Sequence, residues 1–392
     1  MTEIADIFND YGEEYIAAHK LSIQEYKAIG AIRACRTSEL GGHVDECGYF
    51  RISYNSCRNR HCPKCQSLAK EKWLDARNRD LLPIEYYHVV FTIPNELNDL
   101  ALRNKKEIYA ILFKASSETL KELSEDPKYL GAEIGFISIL HTWGQNLIEH
   151  PHIHCIVTGG GLSLDKSKWI SSRKGFFIPV KVISRLFKGK FLHYLKERYF
   201  NKKLKFVGLI RELEKYNSFQ ILLDKLYKKE WIVYAKKPFR SPQYVIQYLG
   251  RYTHRIAISN NRIIKLENGL VTFKWRDYKD GNKNKFMTLD SFEFMRRFLL
   301  HILPHRFVKI RHYGILSNKN RKTKLKLCKE LLGVAKDEMD YIKKETWVEQ
   351  MIRLIGVDYS KCPCCKKGTM IKKSELQPKC CSPPEIKGAV AE

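Results

Sequence analysis

Apolar positions along the chain recur at a period that changes several times, and each change marks an element. Residues 1–30 place Ile4, Ile7, Phe8, Tyr15, Ile16 and His19 on the apolar side of a helix with charges opposite, which predicts a helical packing arm. Residues 68–82 continue as a basic amphipathic helix that ends at Leu82-Pro83. From Tyr86 to Ile93 the period becomes two: His88, Val90 and Thr92 share one face and Val89, Phe91 and Ile93 the other, with Pro94 closing the strand. Residues 97–123 return to a helical period. Ile134 to Leu140 and His150 to Val157 read as strands, the second closing on Gly159-Gly160-Gly161. Strand, helix, strand, strand predicts a central antiparallel sheet with helices on one face, an α+β domain.

Further along, Pro242 opens a helix over residues 244–252, since proline fits a first turn. Tyr244, Tyr248 and Tyr252 are spaced i, i+4, i+8 and share one side of it. Arg255 to Ser259, Arg262 to Leu266 and Leu270 to Trp275 read as strands, the last two joined by Asn268-Gly269, a hairpin signal. Phe292 to Ile302 is helical and stops before Pro304. No internal repeat is present. These changes divide the chain into an arm (1–30), a cysteine-rich segment (31–80), a segment holding the predicted sheet (81–260) with a basic insertion near 163–243, a basic part (261–356) and a cysteine-rich tail (357–392).

Charge sharpens this picture. The 392 residues carry 70 Lys+Arg against 43 Asp+Glu, a formal net charge of +27 spread along the chain. That excess implies a polyanionic partner, nucleic acid above all, bound with strong salt dependence. No apolar run approaches the roughly 18 residues of a membrane helix, and the N-terminus lacks the basic start and apolar core of a signal peptide. The expected location is the cytoplasm, where the 12 cysteines imply metal sites rather than disulfides.

Cys35, Cys47, Cys57, Cys62 and Cys65 cluster with His43 and His61, and Cys62-Pro-Lys-Cys65 has the C-x-x-C spacing that lets two thiolates hold one zinc. Spacing alone does not choose four ligands. Arg58, Arg60 and Lys64 lie beside them, where a rigid knuckle would aim them at phosphates. In the tail, Cys362 and Cys365 form a second C-x-x-C that Cys380 or Cys381 could complete as a small zinc ribbon, against the alternative of a disordered tail. In the basic insertion, Phe176, Phe177, Phe187, Phe191, Tyr194 and Tyr199 are interleaved with lysines. They read equally as core beneath a solvated face and as stacking rings of a single-strand groove. Lys319, Arg321, Lys322, Lys324 and Lys326 form a further phosphate-contacting run.

His152 and His154 point the same way, one pleat apart, and two imidazoles so placed can share a divalent cation. An isolated His-x-His is more often two satisfied histidines, and a tyrosine stripe more often core. Together they allow more: a metal acting as Lewis acid on a phosphate, and a tyrosine hydroxyl activated beside it and beside Arg251 and Arg255 to attack phosphorus. His88, His141 and Gln247 are candidates for a third ligand.

The matching segments Cys35-Arg-Thr with Gly41-Gly-His43, Tyr54-Asn-Ser-Cys57-Arg-Asn-Arg-His61-Cys62-Pro-Lys-Cys65-Gln66, His88-Val-Val-Phe-Thr-Ile-Pro94, His141-Thr-Trp-Gly-Gln145, His150-Pro-His-Ile-His154, Tyr248-Leu-Gly-Arg-Tyr252-Thr-His-Arg255 and Arg296-Arg-Phe-Leu-Leu-His301 run over nearly the whole sequence. On these residues the chain resembles the HUH, two-tyrosine rolling-circle transposases of bacterial insertion sequences. The resemblance implies a zinc-binding domain near residues 31–70 that helps recognise element ends. It also implies Mg²⁺ or Mn²⁺ on His152 and His154, Tyr248 and Tyr252 as nucleophiles, and single-stranded DNA as substrate. One departure stands out: the family's C-x-x-C-Gly lacks its first cysteine before Cys47, which implies zinc held by another set, with Cys35 or His43 filling in, or held more weakly. A rolling-circle replication initiator would use the same chemistry, and a zinc-dependent nucleic-acid-binding protein would lack it.

Overall fold

The computed structural model describes residues 2–173, 178–239, 244–245, 248, 250, 257–277, 280–334 and 345–379. Its regular elements are α1 (Ile4–Ala18), α2 (Ile23–Ala34), β1 (Gly42–Glu46), β2 (Phe50–Tyr54), α3 (Gln66–Asn78), β3 (Tyr86–Thr92), α4 (Asn98–Arg103), α5 (Lys105–Glu125), β4 (Ala132–Trp143), β5 (Glu149–Ser163), β6 (Trp169–Ser171), α6 (Val180–Phe200), α7 (Tyr216–Lys228), β7 (Val233–Phe239), β8 (Ile263–Glu267), β9 (Leu270–Asp277), β10 (Lys283–Asp290), α8 (Ser291–Leu299), β11 (Ile310–Gly314), α9 (Lys324–Leu331), α10 (Trp347–Ile355) and β12 (Ile371–Leu376). The chain divides into two compact units: residues 1–73, 254–302 and 339–392 form one, residues 74–253 and 303–338 the other. The α+β class is as the periodicity predicts. No helix among the described residues is long and apolar enough to cross a membrane.

The second unit is built on an antiparallel sheet of order β11-β4-β5-β3-β7, with β6 added to β5. Val89 and Phe91 of β3 and Ile153, Cys155 and Val157 of β5 are buried in one core with Phe113 of α5, Phe187 and Phe191 of α6, and Trp231. Removing each such side chain from water contributes about 1.5–3 kcal/mol. Because strand side chains alternate, the same packing turns His88, His152 and His154 to the opposite face of the sheet. Phe187 and Phe191 are fully buried, while Tyr194 and Tyr199 pack at the core's edge. Phe187, Phe191, Tyr194 and Tyr199 therefore belong to the core and its edge and not to a stacking surface, whereas Phe200, Tyr216, Tyr227 and Tyr234 are exposed. Phe176 and Phe177 lie outside the described residues.

The glycine run does not end β5. The strand continues to Ser163 with neighbours on both sides, and a Cβ on Gly161 would stand 2.6 Å from the Glu133 carbonyl oxygen. Glycine is needed there for close approach of β4 and β6, not for a turn. The predicted helix over 97–123 is broken at Asn104 (φ −130°, ψ 42°). The Asn104 side chain donates to the Lys205 carbonyl at 2.9 Å and accepts from the Lys205 N–H at 2.7 Å, a distant pairing that outweighs local helical preference.

In the first unit the helical arm is two helices. Ser22 caps α2, with its N–H donating to Glu25 at 2.8 Å and its Oγ accepting from the Glu25 N–H, a capping box. Phe8 meets Phe298 and Tyr15 meets Phe292 edge-on, at centroid distances of 5.6 and 5.4 Å. Two three-stranded sheets accompany them, β12-β1-β2 and β10-β9-β8. The predicted hairpin stands, with Asn268 and Gly269 both at positive φ (51° and 76°). Ala257 to Ser259 forms no strand, and Arg255 lies outside the described residues.

Candidate functional site

The polar face of the second unit's sheet gathers four histidines. Strand register sets His141 of β4 directly across from His152 of β5, and His152 across from Thr92 of β3. Ligand nitrogens of His141, His152 and His154 lie within 4.8 Å of one another, the spacing of a three-imidazole metal site. His141 and His154 are buried and His152 partly so. The His152 Nδ1 is 2.6 Å from the His150 carbonyl oxygen, which can only accept. That contact puts the ring proton on Nδ1 and leaves the Nε2 lone pair for a cation. The His141 ring stacks on Trp143, whose face carries the Lys309 ammonium at 5.0 Å.

His88 extends this group. Its Nε2 is 2.9 Å from the His154 Nδ1, with the two rings stacked at an interplanar angle of 6°. With Nδ1 so engaged, Nε2 is the nitrogen of His154 that can offer a lone pair. The Tyr248 hydroxyl lies 2.9 Å from the same His88 Nε2. A phenol from the helical stretch around residue 248 is thus one hydrogen bond from His88 and two from His154. Of the third-ligand candidates, His141 falls in the three-imidazole group, while His88 stands between it and the phenol. Gln247, Arg251, Tyr252 and Arg255 lie outside the described residues. Tyr244 is exposed and does not share the packing of Tyr248. Nothing in the spacing of residues 88 and 248 announced their meeting.

In the first unit, Cys35, Cys57, Cys62 and Cys65 converge, their sulfurs all within 4.8 Å. The Cys35–Cys65 and Cys57–Cys65 separations are 3.3 and 3.5 Å, near the edge of about 3.8 Å that four Zn–S bonds of about 2.3 Å impose on a tetrahedron. Cys35 comes from the end of α2, and the other three from a loop in which the Cys65 N–H donates to the Cys62 carbonyl. The hydrogen bond to Cys57 holds the Cys62 thiol below its usual range, which favours the thiolate form that a metal needs. Burial pushes Cys35 up to about 12. Zinc binding there releases a proton.

Cys47 does not join this set. It sits on the turn between β1 and β2 and meets Cys362 and Cys365 of the tail instead. Cys35 completes the four sulfurs of the set with Cys57, Cys62 and Cys65. His43 does not, its Nε2 lying 3.5 Å from Asp45. Arg58 and Arg60 are exposed beside the four-cysteine group, whereas Lys64 is paired with Glu3 at 2.6 Å. Of the basic run after residue 318, Lys324 pairs with Glu133 and Arg321 with Asp80, leaving Lys319, Lys322 and Lys326 on the surface. Cys380 and Cys381 lie outside the described residues.

Residues 135–324 match a family described as "Putative transposase", and residues 7–93 one described as "Transposase zinc-binding domain". The chain is 49% identical over 376 residues, 94% of each chain, to "Putative transposase y4qJ" of Sinorhizobium fredii. It is 27% identical over 301 residues to "Transposase for insertion sequence element IS801" of Pseudomonas savastanoi pv. phaseolicola, covering 75% of this chain and 71% of that one. No solved structure matches.

Proposed function

Because the chain belongs to the HUH two-tyrosine family of insertion-sequence transposases, we propose that it moves a DNA element by cutting and rejoining single strands through a 5′-phosphotyrosine link. The observation that carries this reading is the Tyr248 hydroxyl, held 2.9 Å from His88 at the edge of the histidine group.

In this reading the Tyr248 oxygen attacks the scissile phosphorus and the bond to the 3′ oxygen breaks. The downstream strand stays on the tyrosine through its 5′ phosphate, and the upstream strand leaves with a 3′-hydroxyl protonated from solvent. His88 accepts the phenol proton at Nε2 as the new bond forms, its contact with the His154 Nδ1–H giving way, a general-base role that typically contributes 10²–10⁴-fold. A divalent ion on His141, His152 and His154 would polarise the phosphate as a Lewis acid. Three imidazoles are a softer donor set than Mg²⁺ prefers, so of the two metals Mn²⁺ suits them better. Attack of a 3′-hydroxyl on the phosphotyrosine reverses these bond changes, so rejoining needs no ATP. Tyr252, four residues on, is the second nucleophile, which lets one strand end stay attached while another is cut. Arg251 and Arg255 steer the phosphates.

The four-cysteine group is the structural zinc site of the zinc-binding domain, and it fixes the loop that presents Arg58 and Arg60 to element ends. The protein works on DNA in the bacterial cytoplasm, at the nucleoid. Incubation with a labelled single-stranded oligonucleotide carrying an element end, with Mn²⁺, tests the proposal. A covalent protein–DNA band is expected, and its absence under every metal condition would leave only DNA binding.

A further inference from the structure

The second thiol group belongs to none of the chemistry above. Cys47, on the turn after β1, and Cys362 and Cys365, 315 and 318 residues further along, bring their sulfurs within 4.8 Å. We infer that these three cysteines bind a second Zn²⁺, which clips the C-terminal segment onto the β1–β2 hairpin.

Three observations build the site. First, residues 361–369 fold as a knuckle. The Cys362 N–H donates to the Gly368 carbonyl at 2.8 Å, the Lys366 N–H to the Cys362 carbonyl at 2.9 Å, and Lys361 bridges Thr369. Second, the Gly368 N–H donates to the Cys365 sulfur at 3.3 Å, a backbone contact that favours a thiolate ligand. Third, β12 pairs antiparallel with β1, and its register ends at Glu46↔Ile371. That register delivers Cys47, the next residue, to the mouth of the knuckle. A Cβ on Gly368 would stand 2.1 Å from the Cys47 sulfur, so only glycine leaves room for the third donor. Arg51 adds to the clip, donating to Asp45 at 2.8 Å and to the Tyr359 carbonyl at 3.0 Å. Thiolates are soft donors and select Zn²⁺ over hard cations. Cys364 is exposed and stands outside the group.

The test is zinc stoichiometry on the full-length protein purified under reducing conditions, by elemental mass spectrometry. The wild type should carry two zinc ions per chain and Cys364→Ser also two. Cys47→Ser and Gly368→Ala should each carry one, the second although every sulfur is kept. Trypsin should then release fragments cut at Lys366, Lys367 and Lys372 from these two variants but not from the wild type. One zinc in the wild type overturns the inference, as does a Cys47→Ser protein that keeps two, or a Cys362–Cys365 disulfide in thiol counting. Should Cys47→Ser fail to fold, Gly368→Ala and the wild-type count decide. Loss of the DNA-cleaving reading would leave this stoichiometry unchanged.

Discussion

The Tyr248 hydroxyl and the His88 imidazole are 2.9 Å apart, although 160 residues separate them in the chain. This contact joins the tyrosine stretch to the histidine face of the sheet, and it divides the work between side chains. His141, His152 and His154 form the set that suits a cation, and His88 is the group that touches the nucleophile.

That division predicts different phenotypes for neighbouring histidines. His88→Gln should lower the rate of single-strand cleavage by about 10²–10⁴-fold, with Mn²⁺ affinity little changed. Cleavage rates set beside a Mn²⁺ titration check this. A variant that loses Mn²⁺ and cleavage together would make His88 a metal ligand instead.

His152→Ala and His141→Ala should do the converse, weakening Mn²⁺ binding by at least the 10–100-fold typical of losing even a supporting contact. Electron paramagnetic resonance of free Mn²⁺ reads this directly. Gel-shift affinity for single-stranded DNA without metal should stay within a few-fold of wild type, because it depends on the basic surface.

Cys62→Ser, and Cys35→Ser equally, should remove the zinc held by the four-cysteine group and lower the melting temperature of the first unit. Structural zinc in small domains is worth about 10–16 kcal/mol of apparent binding energy. Retention of full zinc and unchanged melting in Cys35→Ser would mean that Cys35 is not a ligand.

Acid stability has a signature of its own. Burial first, then Arg77 and Arg321, push the His312 imidazole down from 6.5 to about 4. Arg77 only donates, so at 3.2 Å the His312 Nε2 accepts and the ring is neutral. A histidine with a lowered folded pKa takes up its proton more readily when unfolded. Its contribution is therefore complete above about pH 6.5 and is lost as pH falls toward 4, with a slope approaching 1.4 kcal/mol per pH unit. Urea midpoints of wild type and His312→Gln, which keeps an acceptor for Arg77, should converge over that window. Parallel curves would contradict the assignment.

The local pattern showed much of this arrangement. Period-two alternation put His88 on one face of β3 with Val90 and Thr92, and His152 and His154 together on one face of β5, and Asn268-Gly269 marked its hairpin. What local pattern could not show was pairing between distant segments. β11 joins β4, and β12 joins β1, through backbone hydrogen bonds that leave no trace in nearby residues. The sulfurs that meet Cys47 lie more than 300 residues away, so the sequence grouped it with the nearby Cys35, Cys57, Cys62 and Cys65 and could not show Cys362 and Cys365 beside it. The break at Asn104 depends on Lys205, and the long β5 on glycines that read as a stop. The aromatic rings of the basic insertion were ambiguous for the same reason, since α6 alone does not reveal the sheet beneath it.

The most direct measurement is to trap the covalent complex on a single-stranded oligonucleotide with Mn²⁺, digest it, and locate the nucleotide-modified peptide by mass spectrometry. The account predicts a 5′-phosphate ester on Tyr248, absent in Tyr248→Phe while that variant still binds the oligonucleotide. An adduct on a residue remote from His88, or cleavage at wild-type rate by a Tyr248→Phe, Tyr252→Phe protein, would contradict it.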